Sequence, residues 1–540
     1  MSKTVILAIN SKYIHSSLAV WQLAESISQY SRIQHSVEVI ETSINQDDDE
    51  IISQIVAHKP DIIGISTYIW NASKLLNIIK NLHNQLPEAV LVLGGPEASF
   101  NAEYWIDNGA NFVICGEGEE SFPMLIDALE AGVSPECVPG LHWRESGKIC
   151  INAEAEPPDS FIDPFTETML AALKGKIAYI ETSRGCPFRC AFCLSGDSEV
   201  RFLPLYAAKE QIRKLSRADV RIIKFVDRTF NCDTKRAYEL FKYVIETGEG
   251  NHFHFEVSAD LFDDVTLSLL EAAPPGMIQL EAGLQSFFKP ALKASHRQAN
   301  LQKAIKNIRT ILSGGNIHIH LDLIAGLPYE TLSDFQDSFD QAYEIGGHKL
   351  QLGFLKMLHG SALRRNEKSI IFSQAPPYEI ECSPWMSASD LKALKQIEGA
   401  LQSTYNKGHF LSAIKYTLSA TRMRPSHFYY ALGVAVQKNG MPLDVYAERV
   451  YDFCVSLRCV SKDALIDCMI CDWLGMVKGT NMPYFLKIAD KSQLNLAREK
   501  AEMALGRKVR RREVAILSCG KSVFVDSDDL DLVTGLYRIY

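Results

Sequence analysis

The sequence predicts an α/β protein built from a doubly wound parallel sheet over residues 1–150, a β/α barrel over 170–370 and a mainly helical part over 380–540. Two patterns predict this fold class. Short apolar runs of strand length alternate with longer amphipathic stretches through the first 370 residues, as in β/α repeats. Beyond residue 380, helical periodicity replaces this alternation. A chain of 540 residues also exceeds what one hydrophobic core supports and indicates roughly three domains.

Four apolar runs predict the strands of the first part, at residues 5–9, 62–66, 90–94 and 112–115. Small or polar residues follow several of them. In open α/β sheets the ligand binds at the carboxyl ends of the strands, where glycine lets the backbone approach it closely. On these residues alone the ligand is a nucleotide or flavin, or the loops are tight turns. No Gly-x-Gly-x-x-Gly follows the first strand, which counts against a dinucleotide.

Three cysteines lie on one short loop after the first strand of the predicted barrel. Cys186, Cys190 and Cys193 have the spacing Cys-x-x-x-Cys-x-x-Cys, which lets three thiolates reach three corners of an iron–sulfur cube. The next cysteine is Cys232, far along the chain, so the fourth iron needs a ligand from a substrate or cofactor. A structural zinc site is disfavoured because no suitably spaced second pair lies nearby. An odd total of thirteen cysteines disfavours a disulfide framework.

This spacing, with the aromatic Phe192 before the last cysteine, resembles the radical S-adenosylmethionine (SAM) superfamily. The resemblance implies a [4Fe-4S] cluster on the three cysteines, whose open iron binds SAM and whose electron cleaves SAM to a 5′-deoxyadenosyl radical. It also implies that the barrel is the partial (β/α)6 kind. Six strand candidates agree with this, at residues 177–181, 222–227, 253–257, 277–281, 317–323 and 349–354.

Several segments after the cysteine loop are similar to segments that contact SAM in related proteins. The resemblance implies that Arg297 neutralises the SAM carboxylate. Each polar residue taken alone is equally well a satisfied barrel residue or a helix cap, and the glycine-rich stretch that often binds the SAM amino group is not evident. The SAM contacts implied by the resemblance are Phe192, Glu256, Ser258, Glu281, Gln285, Arg297 and Leu327.

The two glycine-containing loops at residues 94–97 and 116–119 resemble those of the cobalamin-binding domain that precedes many radical SAM cores. Histidine-ligating cobalamin domains carry Asp-x-His-x-x-Gly after the first strand, whereas His15 here lacks both the Asp and the Gly. We therefore expect base-off cobalamin without histidine coordination, with His15 as a loop or pocket-lining residue. The cobalamin contacts implied by the resemblance are Ser66, Thr67, Gly94, Gly95, Glu97, Gly116, Glu117 and Gly118.

The last part has helical periodicity at residues 388–405 and 443–460, and it resembles a helical domain of unknown function that follows cobalamin-type radical SAM cores. Cys468 and Cys471 are expected on a buried amphipathic helix rather than at a second cluster. The basic run at residues 507–512 is expected to be a solvated face or helix end rather than a phosphate site.

Together these patterns predict an oxygen-sensitive, cobalamin-dependent radical SAM enzyme that methylates an unactivated carbon of an unknown substrate, using a reductant such as flavodoxin or ferredoxin. Two alternatives stay open: a radical rearrangement or cyclisation without methyl transfer, and a non-catalytic cluster or cobalamin sensor. The formal charge of −9 disfavours nucleic acid and anionic membranes as partners. With no secretory signal and no membrane-length apolar stretch, a soluble cytoplasmic protein is expected.

Overall fold

The computed structural model describes residues 3–158, 161–196, 198–248, 250–437, 440–476 and 481–540. The chain forms two compact units. The first comprises Met1–Glu256 and Lys356–Ile380, and the second comprises Val257–Leu355 and Glu381–Tyr540. These units do not follow the three domain boundaries expected from the sequence, which stay a prediction, because the division falls inside the middle segment.

The first unit opens with a seven-stranded sheet. Its strands are β1 (Lys3–Asn10), β2 (Ser36–Ser43), β3 (Ile62–Ser66), β4 (Val90–Gly94), β5 (Phe112–Ile114), β6 (Leu141–Glu145) and β7 (Lys148–Ile151). Its helices are α1 (Leu18–Tyr30), α2 (Asp48–His58), α3 (Ala72–Gln85), α4 (Pro96–Ser99), α5 (Ala102–Asp107) and α6 (Ser121–Ala131). The order is β2-β1-β3-β4-β5-β6-β7; the first five strands are parallel and the last two antiparallel. This confirms the doubly wound fold.

Successive side chains of β1 enter two different cores, because they point to opposite faces of the sheet. Val5 and Leu7 pack in a cluster with Leu75 of α3. Ile6 packs on the other face with Phe122 of α6. A strand buried on both faces reads as a continuous apolar run, which is why residues 5–9 were recognisable in the sequence.

The rest of the first unit contains the cysteine loop. Its elements are α7 (Glu167–Ala172), β8 (Ile177–Ile180), β9 (Ser183–Cys186), β10 (Ser198–Phe202), α8 (Leu205–Arg217), β11 (Ile222–Phe225), α9 (Thr234–Thr247) and β12 (His252–Val257), the last of which ends at the division. Strands β8, β11 and β12 are parallel neighbours in that order. Strands β9 and β10 pair antiparallel, so the three cysteines lie at the end of β9 and in the connection to β10.

The second unit begins with the remaining barrel repeats. They comprise α10 (Asp264–Glu271), β13 (Ile278–Gln285), α11 (Lys289–Ala294), α12 (Leu301–Gly314), β14 (His318–Ala325), α13 (Leu332–Ile345) and β15 (Lys349–Phe354). Strands β13, β14 and β15 are parallel. Each of the six predicted barrel strands therefore exists, which confirms the partial (β/α)6 fold. The chain then returns to residues of the first unit with α14 (Ala362–Asn366) and β16 (Ile371–Phe372), and β17 (Ile380–Cys382) lies at the division.

The carboxyl-terminal part is mainly helical, as predicted, and ends in an antiparallel sheet that the sequence did not reveal. Helix α15 begins at Ser387, which forms a capping box with Asp390. No helix within the described ranges is long and apolar enough to cross a membrane. The elements are α15 (Ala388–Ser403), α16 (Leu411–Thr421), α17 (Pro425–Ala435), α18 (Leu443–Ser456), α19 (Lys462–Met476), α20 (Lys491–Leu505), β18 (Val514–Ile516), β19 (Ser522–Leu530) and β20 (Tyr537–Ile539).

Two features of this part bear on the sequence predictions. Cys468 and Cys471 lie half-buried on α19. Arg507, in the basic run, bonds to Asp526 at 2.6 Å and pairs with Glu513 at 3.4 Å, so this end of the run helps to hold the sheet to the preceding helix.

Candidate functional site

A cavity of about 630 Å³ in the first unit lies at the carboxyl ends of the parallel strands. This is the edge at which open α/β sheets bind ligands. Residues from β8 and β12 also line it, including Glu256, which was predicted to contact SAM. The cavity therefore brings loops of the amino-terminal sheet together with the first barrel strands. The predicted cobalamin residues in its wall are Ser66, Gly94, Gly95, Gly116, Glu117 and Gly118.

Thr67 and Glu97, also predicted to contact cobalamin, lie outside the set of residues that line the cavity. The Thr67 hydroxyl donates to the Gly94 carbonyl at 2.7 Å and accepts from the Ala98 amide at 2.9 Å. Gly95 adopts a φ of +98°, and a Cβ there would lie 2.7 Å from the Thr67 carbonyl oxygen. Thr67 thus stabilises the conformation of the 94–97 loop. Direct contact of Thr67 or Glu97 with cobalamin stays a prediction that this geometry does not support.

An aromatic pair forms part of the cavity wall. The rings of Tyr68 and Trp70 stack with centroids 4.3 Å apart and planes 6° from parallel. The Trp70 indole N–H donates to the Ile9 carbonyl at 3.1 Å, which fixes the pair beside the end of β1. Burial raises the pKa of Tyr68. This pair was not predicted from the sequence, although aromatic residues placed directly after a strand end are a signal for it.

His15 lies in the cavity wall, in keeping with the expected pocket-lining position. Its Nδ1 is 2.5 Å from the Tyr179 hydroxyl. Burial lowers the pKa of His15, and the charges of Lys224 and Lys12 lower it further. His15 is therefore held neutral, with one ring nitrogen engaged by a tyrosine instead of the Asp that histidine-ligating domains supply.

Arg184 joins the 116–119 loop to the strand that leads into the cysteines. Its guanidinium pairs with Glu117, with Glu119 at 2.8 Å and with Glu181 at 2.6 Å. Burial opposes the charge of Arg184, but these three carboxylates outweigh it and raise the pKa above its ordinary value. Because Arg184 is two residues before Cys186, this network connects the cobalamin-side loop with the cysteine loop. No role for Arg184 was predicted from the sequence, since two of its three partners, Glu117 and Glu119, are more than 60 residues away.

The three cysteines present thiols of the kind that a cubane cluster needs. Cys186 and Cys190 are buried, and Cys193 is half-buried. The Cys186 sulfur is 3.6 Å from the Thr229 hydroxyl, and the Ser195 amide donates to the Cys193 sulfur at 3.4 Å. Hydrogen bonds to cluster ligands stabilise the reduced, more negative state.

In the described part of the chain, no three His, Cys, Asp or Glu side chains converge closely enough to hold a single metal ion. In a cubane each thiolate binds a different iron, so three ligands surround the group instead of meeting at one atom. The donor set of three reduced thiols, together with the polar groups beside two of the sulfurs, fits a cluster of this kind.

Three predicted SAM contacts gather at the carboxyl end of β13 in the second unit. Arg297 donates from Nη2 to the Gly283 carbonyl at 2.8 Å. Gln285 has a φ of +68°, and its side-chain oxygen is buried without a hydrogen-bond partner among the described residues. Glu281 lies half-buried on the same strand. An oriented amide oxygen beside a guanidinium can recognise a zwitterion such as the methionine part of SAM.

The other predicted SAM contacts are more dispersed. Phe192 is half-buried on the cysteine loop of the first unit. In the second unit, Ser258 is buried and donates to Asp260 at 2.7 Å, and Leu327 is fully buried. Their contact with SAM stays a prediction.

Three family models match successive parts of the chain. They are the B12 binding domain over residues 4–126, the radical SAM superfamily over 180–342 and a family of unknown function, DUF4080, over 367–515. The cobalamin-dependent radical SAM methyltransferase TokK of Streptomyces tokunonensis is 26% identical over 57% of this chain and 49% of its own length. An anaerobic magnesium-protoporphyrin IX monomethyl ester cyclase of Rubrivivax gelatinosus is 23% identical over 55% of this chain and 56% of its own. The chain spans about half the length of these curated relatives.

Among solved structures, the cobalamin-dependent SAM radical enzyme OxsB, with aqua-cobalamin and SAM bound, has the same fold. Its TM-score is 0.59 at 15% identity, over 95% of this chain and 82% of that one.

The fold, the cysteine loop and these matches define a cobalamin-binding radical SAM protein. The chain combines a B12 binding domain and a radical SAM domain with a DUF4080 domain. Its cofactors are cobalamin, a [4Fe-4S] cluster and SAM.

Proposed function

We propose that this protein is an enzyme that uses a 5′-deoxyadenosyl radical and cobalamin to methylate an unactivated carbon of its substrate. One SAM molecule supplies the radical that removes a hydrogen atom, and a second supplies the methyl group by way of cobalamin. The external reductant supplies the electrons that restore the cluster and the cobalt. The residues of the chain bind and orient the substrate and cofactors and exclude water, while the cofactors supply the radical and methyl-transfer chemistry.

One observation carries the proposal: a single cavity is lined by the glycine loops predicted to bind cobalamin and by Glu181 after β8, Arg184 on β9 and Glu256 on β12. Methyl transfer to a substrate radical requires the two cofactors to serve one reacting carbon, since a radical that diffuses is quenched. The methyltransferase relative TokK supports the same reaction class.

The test is anaerobic reconstitution with iron, sulfide and hydroxocobalamin, followed by incubation with reductant, a metabolite extract and SAM carrying a deuterated methyl group. We expect a four-iron cluster, one cobalt per chain, 5′-deoxyadenosine release and a product that carries the labelled methyl. Cys190→Ala should abolish 5′-deoxyadenosine release and leave cobalamin binding largely intact. Cys137→Ala, at an exposed cysteine of the same unit, is the matched control.

The cyclase relative supports a second candidate, a cobalamin-dependent rearrangement or cyclisation. In that case 5′-deoxyadenosine and a new product would form without the methyl label. Turnover in the absence of cobalt would contradict both candidates, and cofactor binding without any 5′-deoxyadenosine would favour a sensor.

A further inference from the structure

A strongly basic segment runs through α11 and α12 of the second unit. Residues 289–312 contain four lysines, two arginines and one histidine but no Asp or Glu. With 65 acidic residues in 540, a segment of this length would ordinarily contain about three. Because the whole chain carries −9 and this segment +6, the rest of the chain is formally −15. The segment is thus a local exception in an acidic protein.

The basic side chains of this segment form two rows on the surface. Lys289, Lys293 and His296 are four and three residues apart, which places them on one side of α11 and its continuation. Lys303, Lys306 and Arg309 recur at every third residue of α12 and share a face of that helix. All six are exposed, whereas the opposite sides of the two helices are buried. We call these six residues the basic surface.

In the described ranges of the chain, no residue of the basic surface has a carboxylate within salt-bridge distance. The charge of Lys303 does reach Asp263, whose pKa is lowered first by its hydrogen bonds with Thr266 and further by Lys303. Elsewhere lysines do find carboxylates, as Lys209 does with Glu239 and Lys214 with Asp163. Like charges spaced three or four residues apart on a helix destabilise it. The segment therefore carries a repulsion that an anionic partner would relieve.

The basic surface has a concave part that approaches a predicted SAM contact. Lys289, Lys293 and His296 line a surface cavity of about 590 Å³ together with Arg297. Arg297 in turn bonds the Gly283 carbonyl at the carboxyl end of β13. The cationic surface thus extends to the edge of the barrel at which SAM is predicted to bind.

We propose that the basic surface is the docking site for an acidic electron-transfer protein of the flavodoxin or ferredoxin class, the donor that reduces the cluster. An acidic donor is repelled by the remainder of this acidic chain, and a local set of unpaired cations reverses that repulsion and steers its approach. The inference rests on the cluster of the proposed function and not on methyl transfer.

The test compares two reconstituted holoenzymes, each with four exposed lysines changed to Gln. In the first, Lys289, Lys293, Lys303 and Lys306 are replaced; Arg297 is kept, because it is a predicted SAM contact. In the second, the matched control, the replaced residues are Lys235, Lys392, Lys415 and Lys462, which are exposed elsewhere. The measurement is the second-order rate at which reduced flavodoxin bleaches the cluster absorbance, with iron and cobalt contents and reduction by dithionite measured alongside.

We expect the first variant to lose roughly tenfold or more of the flavodoxin rate at low ionic strength, and the loss to disappear at high salt. The control variant should lose much less. Equal losses in the two variants would overturn the proposal, since net charge would then explain them. An unchanged flavodoxin rate with weakened binding of single-stranded RNA would overturn it in favour of a nucleic-acid surface. A wild-type protein that dithionite cannot bleach would instead show that the cluster itself is missing.

Discussion

Tyr378 connects the loop behind the cobalamin-side cavity with the cysteine loop, and it lies in the part of the chain matched by DUF4080. Its hydroxyl donates to the buried carboxylate of Glu97. The guanidinium of Arg364 lies 4.9 Å from the Tyr378 ring centroid, and the neighbouring Leu363 amide donates to the Ala191 carbonyl at 2.7 Å. Ala191 is between Cys190 and Cys193. A residue of the domain of unknown function therefore supports the 94–97 loop, and the segment just before that domain contacts the cysteine loop.

We expect Tyr378→Phe to lower the free energy of unfolding and to weaken cobalamin binding. Burial raises the pKa of Glu97, with the Tyr378 bond and Arg364 opposing that rise, so removing the hydroxyl leaves a buried carboxyl without its donor. An unsatisfied buried group of this kind costs about 1–3 kcal/mol. Thermal unfolding and titration with hydroxocobalamin measure the two effects. Tyr206→Phe, at a tyrosine 79% exposed, is the control, and equal behaviour of the two variants would contradict the prediction.

Glu330 provides a pH-dependent test in the second unit. It is fully buried, accepts from the Ser286 hydroxyl at 2.5 Å, and has one carboxyl oxygen without a partner among the described residues. Burial raises the pKa of Glu330 to about 8, although Ser286 and Ser338 oppose the shift. The folded state thus holds a proton that the unfolded state releases near its ordinary pKa of 4.5. The contribution of Glu330 to the free energy of unfolding is therefore complete below pH 4.5 and is lost as the pH rises towards 8.

We therefore expect Glu330→Gln to gain stability relative to the wild type as the pH rises from about 5 to 8, by on the order of 3 kcal/mol. The amide keeps the acceptor for Ser286 but cannot ionise. Chemical denaturation at several pH values measures the difference. The exposed Glu344→Gln should show no such trend, and a flat difference for Glu330→Gln would refute the raised pKa.

At the scale of elements, the side chain of Asn406 forms hydrogen bonds with the backbone of the edge strand β15. The Leu350 amide donates to Asn406 Oδ1 at 2.9 Å, and Asn406 Nδ2 donates to the Leu350 carbonyl at 2.9 Å. One side chain thus satisfies both backbone groups that an edge strand leaves open. The neighbouring Tyr405 hydroxyl donates to the Gly347 carbonyl.

We expect Asn406→Ala to destabilise the protein by about 2 kcal/mol, because two partly buried backbone groups lose their partners. Amide hydrogen exchange should also speed up at Leu350 more than elsewhere in β15. Gln402→Ala removes only the exposed bond between Gln402 and Asn406, so it is a matched control with a small effect. Unchanged exchange at Leu350 would show that water replaces the side chain without cost.

The elements predictable from the sequence were those with buried apolar runs. Strands β3 and β4 lie where the apolar pattern put them, since strands covered on both faces read as continuous hydrophobic segments. Strand β2 was missed because it alternates with charged residues such as Glu38 and Glu41, as a strand at the sheet edge does. The antiparallel β18–β20 sheet was not predicted because Asp526, Asp528 and Asp529 interrupt the apolar pattern of β19.

At the scale of the whole molecule, the sequence was enough to predict which loops form a site. It was not enough to predict the long-range contacts that connect those loops. The cysteine spacing and the glycine loops are local signals, and each was readable. The pairing of Arg184 with Glu117 spans 67 residues, and that of Tyr378 with Glu97 spans 281. Such pairs carry no local pattern, because each partner taken alone is an ordinary charged or aromatic residue.

The carboxyl-terminal part packs closely with the last barrel repeats of the second unit. Arg424 Nε bonds Asp340 of α13 at 2.6 Å, and the Ser426 amide donates to the same carboxylate at 2.7 Å. The ring of Tyr429 packs edge-on against Phe339, with centroids 6.0 Å apart. Together with the Asn406 contact to β15, these interactions hold residues 257–355 and 381–540 in one compact unit.

We therefore expect a chain ending at residue 380 to be insoluble or to unfold at a much lower temperature, since it exposes α13 and the edge of β15. Co-expression of residues 381–540 as a separate chain should restore soluble protein and the reconstituted iron content. Soluble yield, iron per chain and thermal unfolding are the measurements. If the shortened chain alone were soluble and bound a full cluster, the barrel would fold independently, as the boundaries expected from the sequence imply.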